Sequence, residues 1–389
     1  MTEGSRPVSD AEFSQALSHF GSALHATLSE FERIGRRLHP PAIDGLSAAL
    51  RPAAESLDEA LAAFRACSPA TGLEGMAQHV IRVGEQAASA CASFLDAAPG
   101  PQAFVGVIAA MQEHSRAVAE AYPLRRVLPV IDRYFLEPGF GEGDAELDPP
   151  RGSEGAVESS PRVGVLSANN APDSRGGFSL YVPESYDPSE ARPLVVALHG
   201  AYGHGADFLW TWQREARSRR LILMAPTSRG STWSFNGPDV DAASLASMLK
   251  YVRENWRVDP ERILLTGLSD GATYTLLHGL REESPYTVLA PMSGVLHPAN
   301  LVNGNIERAE GRRIYLVHGA LDWMFPVQVA RVAVGLLGDA GADLRYQEVE
   351  DLSHTHAREE NARVLDWSWG DLEYACAPRH RAGGVLDRA

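Results

Sequence analysis

The apolar residues of this 389-residue chain change period once, near residue 140, and that change limits the fold more than any other feature. Before it, Phe13, Leu17, Phe20, Leu24, Leu28, Phe31, Ile34 and Leu38 recur every three or four residues, which predicts one helical stripe. His39-Pro40-Pro41 ends it, because a residue before proline avoids the α region. A second stripe runs Ile43, Leu46, Leu50, Leu57, Leu61 and Phe64, with Pro52 inside it, where a kink or a split is expected. A third runs Leu73, Met76, Val80, Val83, Ala87, Cys91 and Phe94. A fourth runs Phe104, Ile108, Met111, Val118 and Tyr122. A shorter fifth, after Pro123, uses Leu124, Val127, Leu128, Ile131 and Phe135. Each stripe hides one face only. Residues 1–137 are therefore expected to form an all-α helical bundle domain. Its helices would pack on each other, on the rest of the protein, or on a second copy as a homo-oligomer.

Residues 138–160 are acidic and rich in Gly, Pro and Ser, which is the composition of a linker. Around them Glu137, Glu142, Asp144, Glu146, Asp148, Glu154 and Glu158 face only Arg151. Residues 161–389 then alternate short β-rich runs with helical stretches. The runs are 163–168, 178–183, 193–200, 221–226, 262–269, 287–294, 313–319 and 344–350. Continuously apolar strands between helices predict an α/β fold, with a mostly parallel sheet covered by helices on both faces.

Composition narrows the function. With 35 Lys+Arg against 50 Asp+Glu the formal charge is −15, which argues against nucleic acid and against docking on anionic membranes. The three cysteines, Cys67, Cys91 and Cys376, form neither a metal pair nor a disulfide framework and fit a reducing compartment. No apolar run reaches the roughly 20 residues of a membrane span, and the start MTEGSRPVSDAEF lacks the pattern of a secretory signal, so a cytoplasmic location is expected.

Four short motifs carry chemistry, each at the carboxyl end of an expected strand. Gly267-Leu268-Ser269-Asp270-Gly271 lies between an apolar strand and a helix-compatible stretch. In that setting the serine of a G-x-S-x-G sits on a sharp turn that needs small neighbours, and it can act as nucleophile. Leu198-His199-Gly200-Ala201-Tyr202-Gly203 follows another strand. It can aim an N–H at the site, with Ala201 favoured and Tyr202 as the alternative, while Asp270 N–H supplies the second oxyanion donor. Asp322, just past the strand 313–319, occupies the place of a triad acid, although an Asp there also suits a helix N-cap. On the loop after the last strand, His354 and His356 compete for the base. His354, nearer the strand end, is preferred. The order Ser, Asp, His is that of an α/β-hydrolase triad. Trp233 and Phe235, and Trp323 beside the acid, are candidate pocket walls. Asp239 and Asp241 are expected to favour a helix N-terminus. The His354/His356 pair lacks metal-ligand spacing and no phosphate-binding glycine loop is present, so no metal and no cofactor are expected.

On Leu198-His199-Gly200, on Gly267 to Gly271, on His318-Gly319-Ala320-Leu321-Asp322 with Pro326-Val327, and on Ser353-His354, residues 163–370 resemble the α/β-hydrolases. The resemblance is to the phospholipase/carboxylesterase-like esterases and their polyhydroxybutyrate-depolymerase and feruloyl-esterase relatives. It implies Ser269 as nucleophile, Asp322 as acid and His354 as base. The sequence departs from the family at Ala272, where a second glycine is common, and at Ser353, where a glycine often precedes the histidine. Residues 1–137 match nothing in the family. The expected function is cleavage of a small-molecule carboxylic ester through an acyl-enzyme. The same fold also serves peptidases, thioesterases and lipases, and a non-catalytic binding protein with a relic triad is the alternative of another class.

Overall fold

The computed structural model describes residues 10–69, 71–97, 103–139, 162–235 and 237–370. The linker expected at 138–160 therefore lies, apart from its first two residues, outside the described residues, as do Cys376 and Asn236.

The first part is helical: α1 (Asp10–Arg36), α2 (Ile43–Arg65), α3 (Glu74–Leu95), α4 (Ala103–Ala121) and, after a 3-10 turn at Tyr122–Arg126, α5 (Pro129–Tyr134). The stripes bury as their spacing requires, with Phe20, Leu24, Leu28, Leu57, Leu61, Val80 and Val83 in one core. Pro52 does not split α2, which runs unbroken through it. Pro52 and Ala48, whose carbonyl loses its partner, both face solvent, so water can satisfy that carbonyl.

The second part runs β1 (Gly164–Ala168), β2 (Phe178–Val182), β3 (Arg192–Leu198), α6 (Gly205–Phe208), α7 (Gln213–Ser218), β4 (Ile222–Pro226), α8 (Val240–Asn255), β5 (Val258–Leu268), α9 (Asp270–Gly279), β6 (Val288–Met292), α10 (Ala299–Val302), β7 (Arg313–Gly319), α11 (Val327–Asp339), β8 (Asp343–Val349) and α12 (Glu359–Trp369). All eight expected strands form one sheet in the order β1-β2-β4-β3-β5-β6-β7-β8. β1–β2 and β2–β4 are antiparallel; every other pair is parallel. This is the fold expected from the α/β-hydrolase resemblance.

β3 is the pivot of the sheet, since β4 pairs on one side of it and β5 on the other. Open α/β sheets form their binding crevice beyond the strand ends at such a reversal. The strands alternate faces. Val195, Ala197 and Leu264 point to the core shared with α12 and the helical region. Leu194, Val196, Ile263 and Leu265 point to the core under α8, α9 and α11.

The helical part is not a separate body, because its core runs without a break into one face of the sheet: Tyr122, Leu124 and Phe135 join Tyr181, Val195 and Trp210. Buried charge marks the same seam. Arg125 meets Glu184 at 2.6 Å, with side chains only 1% and 8% exposed, and Glu184 also accepts from the Tyr122 and Tyr181 hydroxyls. Glu137, read in the sequence as part of the acidic tether, is instead held bidentately by Arg219 at 2.6 and 2.9 Å, and Arg219 also reaches Asp366 of α12.

Burial alone would raise the Glu184 carboxyl, but the Arg125 charge and the three donors outweigh it and hold it below its ordinary 4.5. Its stabilisation is therefore complete above about pH 4.5 and is lost as pH falls through the lower folded value. Glu184→Gln removes the carboxylate from a buried ion pair and should cost about 3–5 kcal/mol at pH 7. Urea unfolding at pH 7 and at pH 3 checks this, with the gap between variant and parent expected to narrow at the lower pH.

Candidate active site

Ser269 sits between β5 and α9 with φ 57° and ψ −117°, a strained conformation for a residue with a side chain. It persists because three backbones meet there. A Cβ on Gly267 would lie 2.4 Å from the Gly271 carbonyl carbon, and one on Gly271 would lie 2.3 Å from the Leu198 carbonyl oxygen at the end of β3. Only glycine fits at either position. Ala272, where relatives often carry glycine, is accommodated from the other side: a Cβ on Gly294 would lie 2.6 Å from Ala272 Cβ. The need for a small residue has moved to Gly294.

The structure brings Ser269, His354 and Asp322 together. His354 Nε2 is 2.9 Å from Ser269 Oγ, and His354 Nδ1 is 2.8 Å from Asp322 Oδ2. With Nδ1–H donating to the carboxylate, Nε2 is left as the acceptor facing the serine hydroxyl. Asp322 Oδ1 accepts from the N–H groups of Met324 and Phe325, at 3.0 and 2.8 Å. Asp322 is thus not a helix N-cap; its other oxygen is turned toward His354. A buried His318 supports the acid loop, with Nε2–H donating to the Phe325 carbonyl at 2.8 Å and lying 3.4 Å from Asp322 Oδ2. Burial lowers the His318 pKa.

His356 goes elsewhere. It pairs with Asn361 at 3.1 Å, packs edge-on against Phe208 and Trp212, and is pushed down to about 4 by burial.

The turn after β3 faces Ser269, a Cβ on Gly200 being 3.4 Å from Ser269 Cβ. Its donors separate clearly. Tyr202, at φ 59°, gives its N–H to the Ser231 carbonyl at 2.7 Å and so drops out as an oxyanion donor. Among the described residues, neither Ala201 N–H nor Asp270 N–H has a protein acceptor. His199 is structural: Nδ1–H donates to Gly200 O at 2.6 Å, Nε2 accepts from Ser228 N–H at 3.1 Å, and burial pushes it down to about 3.

Of the expected walls, Trp233 is buried and braces the turn from beneath. Its Nε1–H donates to the His199 carbonyl at 2.8 Å, and its ring stacks on Tyr274. Phe235 is half-buried, stacked on His297, and Trp323 is 44% exposed on the acid loop. Asp239 caps α8 by accepting from Ala242 N–H. Asp241 lies in the first turn of α8 and also ties down the 229–234 loop, accepting from the N–H groups of Arg229 and Ser234.

The helical region reaches this site, which the sequence alone did not reveal. His39 Nδ1 and Ser353 Oγ are hydrogen-bonded at 2.9 Å, directly before His354, and Arg36 binds Asp351 at 2.8 Å and Glu359 at 2.5 Å. Ser353, the second departure from the family pattern, thus has a specific partner from outside the sheet. The signal was present in the sequence as that departure, but its partner lies 314 residues away.

Residues 240–367 match the phospholipase/carboxylesterase family. The chain is 29% identical over 112 residues to an acetylxylan esterase of Coprinopsis cinerea, covering 25% of this chain and 30% of that protein. It is 27% identical over 153 residues to poly(3-hydroxyalkanoate) depolymerase C of Paucimonas lemoignei, covering 36% of each. It thus spans about a third of the length of these curated relatives. Among solved structures, a thermostable esterase superposes with TM-score 0.44 at 22% identity, over 53% of this chain and 62% of that one. An acetyl xylan esterase from Aspergillus awamori gives 0.43 at 16% identity, over 52% and 98%. The strand order and the elbow of residues 163–370 are those of the α/β-hydrolase fold, and residues 240–367 within it are similar to the phospholipase/carboxylesterase family.

Proposed function

We propose that the protein is a serine hydrolase of carboxylic esters that works through an acyl-enzyme. The observation that carries this reading is the unbroken chain Asp322–His354–Ser269, beside two backbone N–H groups that have no acceptor among the described residues. Its parts have matching roles. His354 Nε2 takes the hydroxyl proton as Ser269 Oγ attacks the ester carbonyl carbon. The oxyanion that forms is met by the N–H groups of Ala201 and Asp270, each such donor contributing about 2.7–4 kcal/mol at the transition state. Collapse breaks the bond to the alcohol oxygen, which leaves with the proton from His354. Water then gives a proton to the same nitrogen and attacks the acyl carbon, and collapse breaks the bond to Ser269 Oγ, which takes the proton back from His354 as the acid leaves. Asp322 holds the tautomer and balances the imidazolium. The chemistry needs no metal and no cofactor. The family match and the names of the relatives, an acetylxylan esterase and a poly(3-hydroxyalkanoate) depolymerase, support ester substrates and differ on which. The cysteine content supports a cytoplasmic setting.

Two substitutions test the reading. Ser269→Ala should reduce hydrolysis of p-nitrophenyl acetate to background and abolish labelling by a fluorophosphonate, with the melting temperature unchanged. Retained turnover would refute the nucleophile. Asp322→Asn keeps the shape but invites the wrong imidazole tautomer, so kcat should fall by about 10⁴-fold. Steady-state kinetics showing less than a tenfold drop would remove Asp322 from the mechanism.

A further inference from the structure

A cavity of about 320 Å³ runs from the catalytic turn into the seam between the sheet edge and the helical region. Gly200, Leu268 and His354 line the end next to Ser269. The cavity is also lined by Gly35 of α1, by Leu38 just beyond α1, by Ile108, Met111 and Val118 of α4, and by Phe208 and Trp210. The volume lies at the lower end of the roughly 300–1,000 Å³ typical of small-molecule sites.

The walls are fixed in place. Arg36 and His39, at and just beyond the end of α1, hold the loop that carries His354, as described above. Glu32 of α1 is bound by Arg214 at 3.0 Å and also by Arg358. These bonds tie α1 to α7 and to the loops around His354 and Arg358.

The lining also carries buried polar atoms that have no partner among the described residues. Arg36 Nη1, His114 Nδ1, His356 Nδ1 and Arg358 Nε are all buried without a hydrogen-bond partner, and all four residues line this cavity. Unpaired buried polar atoms are rare enough that such a group calls for a cause. The two arginine atoms are donors. His356 donates through Nε2 to Asn361, so its Nδ1 is an acceptor. A hydroxyl answers both kinds at once. Because Glu32 and Asp207 line the same space, a neutral oxygen suits it better than a carboxylate.

We propose that this cavity is the acyl pocket, walled by the helical region, and that it selects esters of a short-to-medium acyl chain bearing a neutral oxygen such as a hydroxyl. The assignment rests on the esterase reading above and specifies its substrate class. The acyl group belongs here because it stays bonded to Ser269 while the alcohol must leave. The cavity is walled on one side by residues of α1 and α4, whereas the acid loop, which does not line it, is exposed, with Leu321, Trp323 and Met324 at 50%, 44% and 45% exposure. The helical part is then a specificity element of the enzyme.

The test compares kcat/KM of the full chain on methyl acetate, methyl hexanoate and methyl 6-hydroxyhexanoate by proton release. The parent should prefer the 6-hydroxyhexanoate over the hexanoate several-fold. Met111→Trp and the half-exposed Ile108→Trp, both filling the cavity, should each lower the hexanoate-to-acetate ratio at least tenfold. His114→Leu should bring the hydroxyl preference close to one. Melting temperatures identify any variant that fails to fold, and Ile108→Trp, at a half-exposed position, keeps the ratio measurable if Met111→Trp does not fold. Unchanged ratios in folded variants that still hydrolyse acetate would overturn the pocket and leave the esterase standing. If the parent hydrolyses none of the esters and takes no fluorophosphonate label, the esterase reading falls first.

Discussion

The site depends on one steric constraint: the chain must pass from β5 into α9 directly against the end of β3, with no side chain between them. Gly267, Gly271 and the Leu198 carbonyl are so close that a single Cβ would collide with backbone. This closeness holds Ser269 at a positive φ and aims its hydroxyl away from the sheet. It also brings the Gly200 turn, with the unused Ala201 N–H, alongside the serine. Strain of this kind survives only where the surroundings over-determine it. Here the Ser269 N–H to Met292 carbonyl bond and the Thr273 N–H to Ser269 carbonyl bond, both 3.0 Å, anchor the turn at each end. The same device recurs at the acid and base loops, where a Cβ on Gly319 would lie 2.3 Å from the Leu352 carbonyl oxygen. The reach from Asp322 to His354 is set by that contact.

A second layer of the structure is the docking of the helical region. One part of its apolar stripes, around Phe20, Leu57 and Val83, shares a core with one sheet face, so that face is covered by residues far upstream in the chain, while Phe31, Ile34, Leu50 and Phe94 close on each other in a second core. Placed around that core are ion pairs with little solvent, Arg125–Glu184 and Arg219–Glu137 among them. Buried pairs add little net stability over apolar packing, but each is costly to misalign, which favours one docked position over neighbouring ones. That single position puts Arg36 and His39 against the loop of His354. The helical part and the hydrolase part therefore share the geometry of one site.

Local pattern made much of this legible. Period and proline placement located the first four helices and the eight strands, because burying one face leaves a spacing that residues report by themselves. The residues able to stand at strand ends as nucleophile, acid and base could be picked out, because a sharp turn demands glycine and glycine is visible. The uninterrupted α2 was not foreseen: whether Pro52 breaks a helix depends on which side faces water, a property of the packed bundle. Trp233 was read as a wall and is a brace, since an aromatic residue in a loop looks the same whichever side of the backbone it supports.

What the sequence by itself determined is the set of elements and their chemistry: helices first, then a covered parallel sheet, with Ser269, Asp322 and His354 at strand ends. Those follow from interactions between residues a few positions apart. Only the tertiary structure decided which of two histidines meets the serine, which N–H groups stay without a partner among the described residues, and that residues of α1 and α4 line a cavity beside the site. His354 and His356 differ by two positions, and Ala201 and Tyr202 by one; their fates separate only through partners at Ser269, Asn361 and Ser231. The bond from His39 to Ser353 spans 314 positions, and no local pattern encodes a contact between segments whose distance is set by the folding of everything between them.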